Sequence, residues 1–545
     1  MTRPILRFEG NDLARRIGAV FAENVHDLVE KVDMEPGGYE AGFFHTSTVR
    51  HPNTCYYDSV WSRDAGRGLI ELSRLGFQRE AEAAAGYLLR NLNKGDHWGR
   101  TTSPNDSCGY EADGNALVLL GIANVWKMSG DKEKLGAEYL KAAEPVVKWL
   151  EHEMRGNPLG CLLPCISELS GNPSTPYTVT AVFPNYALKM ALEGLLEMAR
   201  AVHSPLEGKL ASLEKELTEA MDSRLVAGAQ PSNTPAGCWL NGLDGRDGRP
   251  YEFSDWDFTS WPVWHWTRQL PFVLQPDLGS MALRQDRQLA VHQKSYAHVL
   301  RYMNGNRFFR KYGFVSGSGW TGMGGRHDDT MCGYSQGYMT QAALLSDDVN
   351  TYSLLAEGIA RLAYDGNVAE DLADERNPWL MHECFSYENY EEGLDHTFGV
   401  LKNGRPGLMD NPGDEGNLVQ AAEILKVFRL IVGIDDGNPE GLRLMPRLPW
   451  EWDAMQAENF PFAAPDGAVG KISLILRHDR AARSTSIQVS SSIPLSNLAI
   501  RLGPYPKHLR ILSGGELEIE QGERCSWVWL RGLNGTDISR TISLW

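Results

Sequence analysis

Between Asn11 and about Gly433, apolar residues recur at the helical period, in segments parted by stretches rich in Gly, Pro, Trp and Asp. The spacing predicts helices over 13–31, 66–75, 78–92, 114–128, 132–153, 183–202, 206–221, 287–303, 336–344, 351–364 and 415–432, with a twelfth in the Trp-rich stretch near 264–274. Several are joined by short breaks, at Gly76, at Ser129-Gly130-Asp131 and over 345–350. Consecutive helices with short connections pack antiparallel, so the pattern reads as a series of αα-hairpins. An open solenoid would show self-similarity at a fixed period, and none is visible; closure into a ring of six hairpins fits the irregular loops better. After Pro446 the period changes to two, and short strands are expected over 471–477, 484–489, 498–502, 509–512, 516–520, 526–530 and 541–544. The expected organisation is a mainly α catalytic domain over 1–445, its helices within roughly 11–440, followed by an antiparallel, β-sandwich-like domain over 446–545.

Composition narrows the function. The chain has 545 residues, 42% of them hydrophobic, enough for a large core. Lys and Arg total 53 against 70 Asp and Glu, a net charge of −17 that repels polyanions and argues against nucleic acid as a partner. The first ten residues lack a basic-then-apolar leader, and no run approaches a membrane span, so no membrane partner and a cytoplasmic location are expected. Eight cysteines are scattered from Cys55 to Cys525; the close pair Cys161 and Cys165 has no second pair or nearby histidine to complete a zinc site, and neither metal nor cofactor is expected. Oligomeric state is left open. The informative excess is aromatic: 16 Trp, 19 Tyr and 17 Phe, many in polar, Gly-rich connections. Sugars need such a mixture, because pyranose faces are apolar while their rims carry hydroxyls. A carbohydrate substrate follows as the expectation.

Glycosidic bond hydrolysis uses two carboxyl groups, one protonating the leaving oxygen and one activating water or attacking carbon. Acids in aromatic, Gly-containing loops are the candidates. Glu80, Glu82, Glu193, Glu197, Glu214 and Glu216 lie in helical runs and read as solvated faces. The first loop to pass contains Tyr57-Asp58-Ser59-Val60-Trp61-Ser62-Arg63-Asp64-Ala65-Gly66. Its Arg-Asp pair offers donors and an acceptor to adjacent hydroxyls, beside a flat ring. The competing explanation is that Asp64 caps the next helix. For the opposing carboxylate the densest late loop is His382-Glu383-Cys384-Phe385-Ser386-Tyr387-Glu388-Asn389-Tyr390, which leaves Glu383 and Glu388 both open. The loop over 318–329, with Trp320 and His327, is expected to line the pocket. Asp410-Asn411-Pro412-Gly413-Asp414-Glu415-Gly416 lacks the full ligand spacing of a calcium loop and reads as a helix start.

Trp61-Ser62-Arg63-Asp64-Ala65 resembles the Trp-x-Arg-Asp-Ala segment of the glucoamylases, and Asp113-Gly114-Asn115-Ala116-Leu117 resembles their Asp-Gly-x-Ala-Leu. In the same order, Glu168-Leu169-Ser170-Gly171 with Tyr177-Thr178-Val179 is similar to the glucoamylase loop that holds the general acid. The resemblance, over roughly 55–200, implies an (α/α)6 toroid of the six-hairpin glycosidase type. It also implies that Arg63 and Asp64 hold the sugar at the cleavage subsite, with Tyr57, Trp61 and Asp113 around it. The family has Trp-Glu-Glu where this chain has Ile166-Ser167-Glu168, so an ungapped match puts Glu168 on the second, sugar-binding Glu and Ser167 on the acid. Glu168 is nonetheless the carboxyl that this loop offers as acid. Within the same superfamily, Asp255-Trp256-Asp257-Phe258-Thr259-Ser260 resembles a trehalase stretch whose Asp is the acid, which makes Asp257 the alternative acid and Trp256 a binding ring.

Glu388-Asn389-Tyr390 resembles the base segment of processing glucosidases, whereas Trp379-Leu380-Met381-His382-Glu383 is closer to a rhamnosidase segment. Gly441-Leu442-Arg443-Leu444-Met445-Pro446-Arg447-Leu448-Pro449 resembles the exit from the helical barrel in rhamnosidases and inverting disaccharide phosphorylases. An inverting, exo-acting glycoside hydrolase is the leading expectation. A disaccharide phosphorylase, a sugar epimerase or lyase using His327, His382 or His396, and a non-enzymatic sugar-binding protein are the rivals.

Overall fold

A computed structural model describes residues 3–37, 39–46, 59–102, 112–164, 179–228, 232, 234–245, 247–250, 269–276, 279–283, 288–315, 330–363, 379–381, 384–393, 416–449, 451–506, 511–512, 517–522 and 525–544. Its helices are α1 (Asp12–Glu30), α2 (Ser62–Arg74), α3 (Gln78–Arg90), α4 (Ala112–Lys127), α5 (Lys132–Gly156), α6 (Val182–Ala201) and α7 (Glu207–Arg224). They continue with α8 (Leu289–Met303), α9 (Arg307–Tyr312), α10 (Gly333–Leu345), α11 (Val349–Leu362), α12 (Tyr387–Glu392) and α13 (Leu418–Val432). All eleven long helices expected from the apolar period are present, with ends displaced by a few residues. The last begins at Leu418 because Gly416 takes a left-handed φ of 62° and Asn417 caps the next turn, accepting from the Val419 amide. The expected twelfth lies largely outside the described residues. Its described end is a 3-10 turn, Pro271–Leu274, opened by a proline that cannot donate to a preceding turn.

Burial separates two kinds of helix. Every residue of α2, α10 and α13 is buried, and Lys127 alone escapes in α4, whereas α1, α3 and α11 bury a single stripe. A helix enclosed on all sides has packed neighbours all round. Here α2 packs on α4 and α4 on α6; α6 and α10 both touch the Pro271–Leu274 turn; α10 packs on α13, and α13 returns to α2. These contacts form a circuit, with α1, α3, α5, α7 and α11 outside it. Glycine permits the closest approach. A Cβ on Gly66 would lie 2.4 Å from the Leu117 carbonyl carbon, and one on Gly121 would lie 2.7 Å from the Gly66 oxygen. Ser62 meets Gly114, Gly66 meets Leu117 and Leu69 meets Gly121, so α2 and α4 run parallel.

The strands are β1 (Ile5–Glu9), β2 (Val179–Ala181), β3 (Gly242–Asp244), β4 (Thr330–Cys332), β5 (Cys384–Ser386), β6 (Ile434–Asp435) and β7 (Arg443–Leu444). The remainder are β8 (Ala454–Ala463), β9 (Val469–Asp479), β10 (Ser484–Pro506), β11 (Ile511–Leu512), β12 (Glu518–Gln521) and β13 (Cys525–Leu544). One large sheet runs β1-β8-β9-β10-β13-β11, with β12 on β13 and β7 on β10. The chain's first strand therefore lies in the C-terminal sheet, an arrangement that the sequence pattern does not announce. β8 is also unexpected, because its buried positions do not alternate and it contains Pro461. Two expected strands, 484–489 and 498–502, are parts of the single bulged strand β10. Elsewhere β2 pairs with β3 and β4 with β5, each pair leading straight into a helix. No helix among the described residues is long and apolar enough to cross a membrane.

Candidate active site

The inner helices carry matched inward stripes. On α2, Ser62, Gly66 and Leu69 face α4, while Arg67 and Glu71 pair with Glu423 and Arg429 of α13. Arg63, Arg67, Ile70 and Arg74, spaced i, i+4, i+7, i+11, form the face between these contacts, and it looks into the ring. On α4, Gly121 faces α2, Ala123 meets Gly194 of α6, and Trp126 packs by Gly136 of α5. The stripe left facing inward is Asp113, Leu117, Leu120 and Asn124, at the same spacing. The two stripes are joined at their lower ends, where Arg74 Nε donates to Asn124 Oδ1 at 3.1 Å. With the helices parallel, Arg63 and Asp113 share the opposite end, at the helix N-termini.

That end is held by specific bonds. The Trp61 amide donates to Thr46 Oγ1 (3.1 Å) while the Thr46 carbonyl accepts from the Leu418 amide (2.8 Å), so one residue ties the starts of α2 and α13 together. Ser62 Oγ donates to the Gly99 carbonyl at 2.9 Å. A recurring device then appears at the fourth residue of three inner helices. Asn115 brackets Trp98, accepting from its amide (3.0 Å) and donating to its carbonyl (2.8 Å). Asn185 does the same to Leu163 (2.7 and 3.0 Å), and Gln336 accepts from Val315 (3.0 Å) and donates to the Gly313 carbonyl (2.8 Å). A buried amide that satisfies both a loop N–H and a loop C=O fixes where the returning chain reaches the ring. The clamped residues lie close before segments 103–111, 165–178 and 316–329, which lead back to these same helices.

Among the candidates, four side chains are described. Trp61 is the N-cap residue of α2, with no side-chain cap bond, and is half-buried; the Arg100 guanidinium lies over its ring at 4.2 Å, so a sugar would have to use the opposite face. Arg63 and Asp64 are both buried, with Arg63 Nε 3.4 Å from Asp64 Oδ1. Asp64 occupies the third position of α2 and is not its N-cap. Asp113 is fully buried in the first turn of α4, and among the described residues neither of its oxygens has a hydrogen-bond partner. Glu388 falls in α12, directly after β5, although its side chain lies outside the described residues. Glu168, Glu383, Asp257, Tyr57, Trp256, Trp320 and His327 also lie outside them.

Below this end the ring interior is filled. Arg67 and Glu423 form a buried ion pair, and Gln341 of α10 donates to the same carboxylate at 2.6 Å. Burial opposes the charge on Arg67, but Glu423, Tyr338 and Glu71 overcome it and hold its pKa above the usual arginine value. Arg429 grips Glu71 through two bonds of 2.6 Å. Lys426 donates to the Val273 and Gln275 carbonyls, taking up backbone acceptors of the 3-10 turn; burial, then the nearby Arg67, pushes its pKa well below the usual lysine range. The sequence did not single out these residues, because charges in helical runs were read as solvated faces. The six helical acids set aside are indeed all partly or fully exposed. A usable signal was present: Glu423, Lys426 and Arg429 interrupt a helix that is apolar on every side.

No family model matches the sequence, and no curated protein matches it either. Solved structures do share its fold. An α-L-rhamnosidase from Dictyoglumus thermophilum aligns with a TM-score of 0.56 at 10% identity, covering 99% of this chain and 50% of that one. The GH78 family rhamnosidase of Bacillus sp. GL1 aligns at 0.55 and 12% identity, over 88% of this chain and 41% of that one. The Streptomyces avermitilis α-L-rhamnosidase complexed with L-rhamnose gives 0.52 and 12%, over 99% and 42%. The chain thus spans half or less of the length of these enzymes, and the shared fold fits a helical toroid with a β-domain.

Proposed function

We propose that the protein is a glycoside hydrolase, inverting and exo-acting, that removes a terminal sugar in a pocket at the N-terminal mouth of an (α/α)6 barrel. In this reading residues 1–445 form the barrel domain and 446–545 the β-domain, except that β1, β6 and β7 join the sheet of the latter. Arg63, Asp64 and Asp113 bind the terminal sugar with Trp61, Tyr57, Trp256, Trp320 and His327. Glu168 is the acid, Glu388 or Glu383 the base, and Asp257 the alternative acid. The observation that carries the reading is the placement of buried Arg63 and Asp113 at the same end of two parallel, contacting helices, with Asp64 beside Arg63. Two further facts support it. Leu163, clamped by Asn185, and β2, which opens into α6, lie on either side in sequence of the segment that contains Glu168. The Arg67, Glu423 and Gln341 layer fills the ring below, which suits a blind pocket and a terminal sugar. The likeness in fold to rhamnosidases agrees with the chemistry.

Mechanistically, inversion needs acid and base about 6.5–9.5 Å apart, so that a water fits between base and anomeric carbon. The acid must stay protonated and should be the more desolvated of the two. Glu168→Gln and Asp257→Asn compared on one natural substrate test the assignment. The reading expects Glu168→Gln to be dead on that substrate yet to keep much of its rate on an activated aryl glycoside, whose leaving group needs little protonation. A fully active Glu168→Gln beside a dead Asp257→Asn transfers the acid role to Asp257.

A further inference from the structure

We infer that Asp113 is the specificity-determining group at the bottom of the pocket, and that it reads two adjacent hydroxyls of a neutral pyranose, one on each carboxylate oxygen. The inference rests on the sugar-binding reading of the mouth and names what that site recognises. Asp113 is 0% exposed, and among the described residues neither oxygen has a hydrogen-bond donor. A buried carboxylate ordinarily collects several donors, because stripping it of water without replacement is costly. The chain meets that requirement elsewhere in the ring: Glu71 holds Arg429 through two bonds, and Glu423 takes both Arg67 and Gln341. Asp113 is the carboxylate on the inward stripe of α4, and it stands in the first turn of that helix, beside the start of α2.

Its neighbours explain why the protein does not supply the donors. The following residue, Gly114, packs against Ser62, where a Cβ would lie 2.4 Å from the hydroxyl oxygen, and the Ser62 hydroxyl is turned away to the Gly99 carbonyl. Asn115 spends its amide on Trp98, on the other side of the helix. One donor from a ligand would leave the second oxygen unmet, so two are needed. Adjacent equatorial or axial-equatorial hydroxyls on a sugar ring supply two O–H groups at a separation that a carboxylate spans.

The test uses the full chain and free aldohexoses. D-glucose, D-mannose, D-galactose and L-rhamnose are titrated calorimetrically, and the tightest binder is then replaced by its monodeoxy forms. In the wild type, loss of either of two adjacent hydroxyls should weaken binding about tenfold or more. In Asp113→Leu both penalties should fall to about twofold or less, while the penalty for a hydroxyl outside the pair persists. Melting of the ligand-free variants supplies the control. Asp113→Asn and Asp113→Leu should melt at or above the wild-type temperature, because they remove an unmet buried charge. Unchanged deoxy penalties in Asp113→Leu, a response of only one hydroxyl, failure of every aldohexose to bind the wild type, or a lowered melting temperature in both variants overturns the proposal. The last result would make the carboxylate a stabiliser of the helix start. Binding is read without turnover, so an Asp113-dependent diol site in a protein that cleaves no glycoside would sink the hydrolase reading alone. Turnover with Asp113 silent would sink this inference alone.

Discussion

The two ends of the inner ring treat polar groups in opposite ways. At the C-terminal end of α2, Arg74 donates to Asn124 and to both oxygens of Asp436 (2.6 and 2.8 Å), and Asp436 also accepts from the Ala463 amide of the large sheet (2.9 Å). Arg501 of that sheet reaches Asp347, at the turn between α10 and α11 (2.9 Å), and grips Glu520 with two more bonds. Charge there joins helices to strands, and its partners are all protein. At the N-terminal end Asp113 is fully buried, and among the described residues neither of its oxygens has a hydrogen-bond partner. The difference teaches where to look for chemistry. Ion pairs with protein partners hold the architecture, and a buried carboxylate with neither oxygen met is the place to test for something that binds.

Substitutions can break this contrast. The largest effect on stability is expected in the closed network. Arg429→Ala strands the Glu71 carboxylate at a site where both partners are almost fully buried, and should cost about 3–5 kcal/mol in denaturant unfolding. At the mouth the stability cost should be small and the kinetic cost large. Glu168→Gln, and whichever of Glu388→Gln and Glu383→Gln removes the base, should each lose at least ~10²-fold in kcat with an unchanged unfolding midpoint. Asp64→Asn should raise KM and lower kcat together, losing about 1.5–3 kcal/mol in kcat/KM for a charged hydrogen bond to a hydroxyl. Unchanged kinetics would remove Asp64 from the site. Smallest of all should be the outer surface: Arg155→Ala, which releases Glu216 from a half-exposed pair at 3.0 Å, should shift stability by less than ~1 kcal/mol and leave turnover alone.

Much of this contrast was legible before the structure, for reasons that differ by region. The helices were visible because outer segments such as Asp12–Glu30 bury one stripe and inner ones such as Leu418–Val432 carry apolar residues on every side. Arg63, Asp64 and Asp113 stood out because they sit beside Trp or Gly at helix starts, and short motifs survive there. The sheet was harder. β1 is five residues whose partner, β8, lies about four hundred and fifty positions away, and nothing local encodes such a pairing. The internal order of the ring was also hidden. Asn115, Asn185 and Gln336 perform one task at one helical position, but the third is a glutamine and the flanking residues differ, so no sequence repeat marks them. The buried pairs of Arg67 with Glu423 and Glu71 with Arg429 resemble surface charges until their helices are known to be enclosed.

The most direct test of the account is the product. Wild-type protein is incubated with a panel of α- and β-linked disaccharides and aryl glycosides, in the presence and absence of inorganic phosphate, and the released sugar is followed by proton NMR from the first minutes. The account predicts phosphate-independent release of one terminal monosaccharide, with the anomeric configuration opposite to that of the substrate and with release abolished in Glu168→Gln on unactivated substrates. Retention of configuration, a sugar phosphate as the first product, or no release from any member of the panel would contradict it.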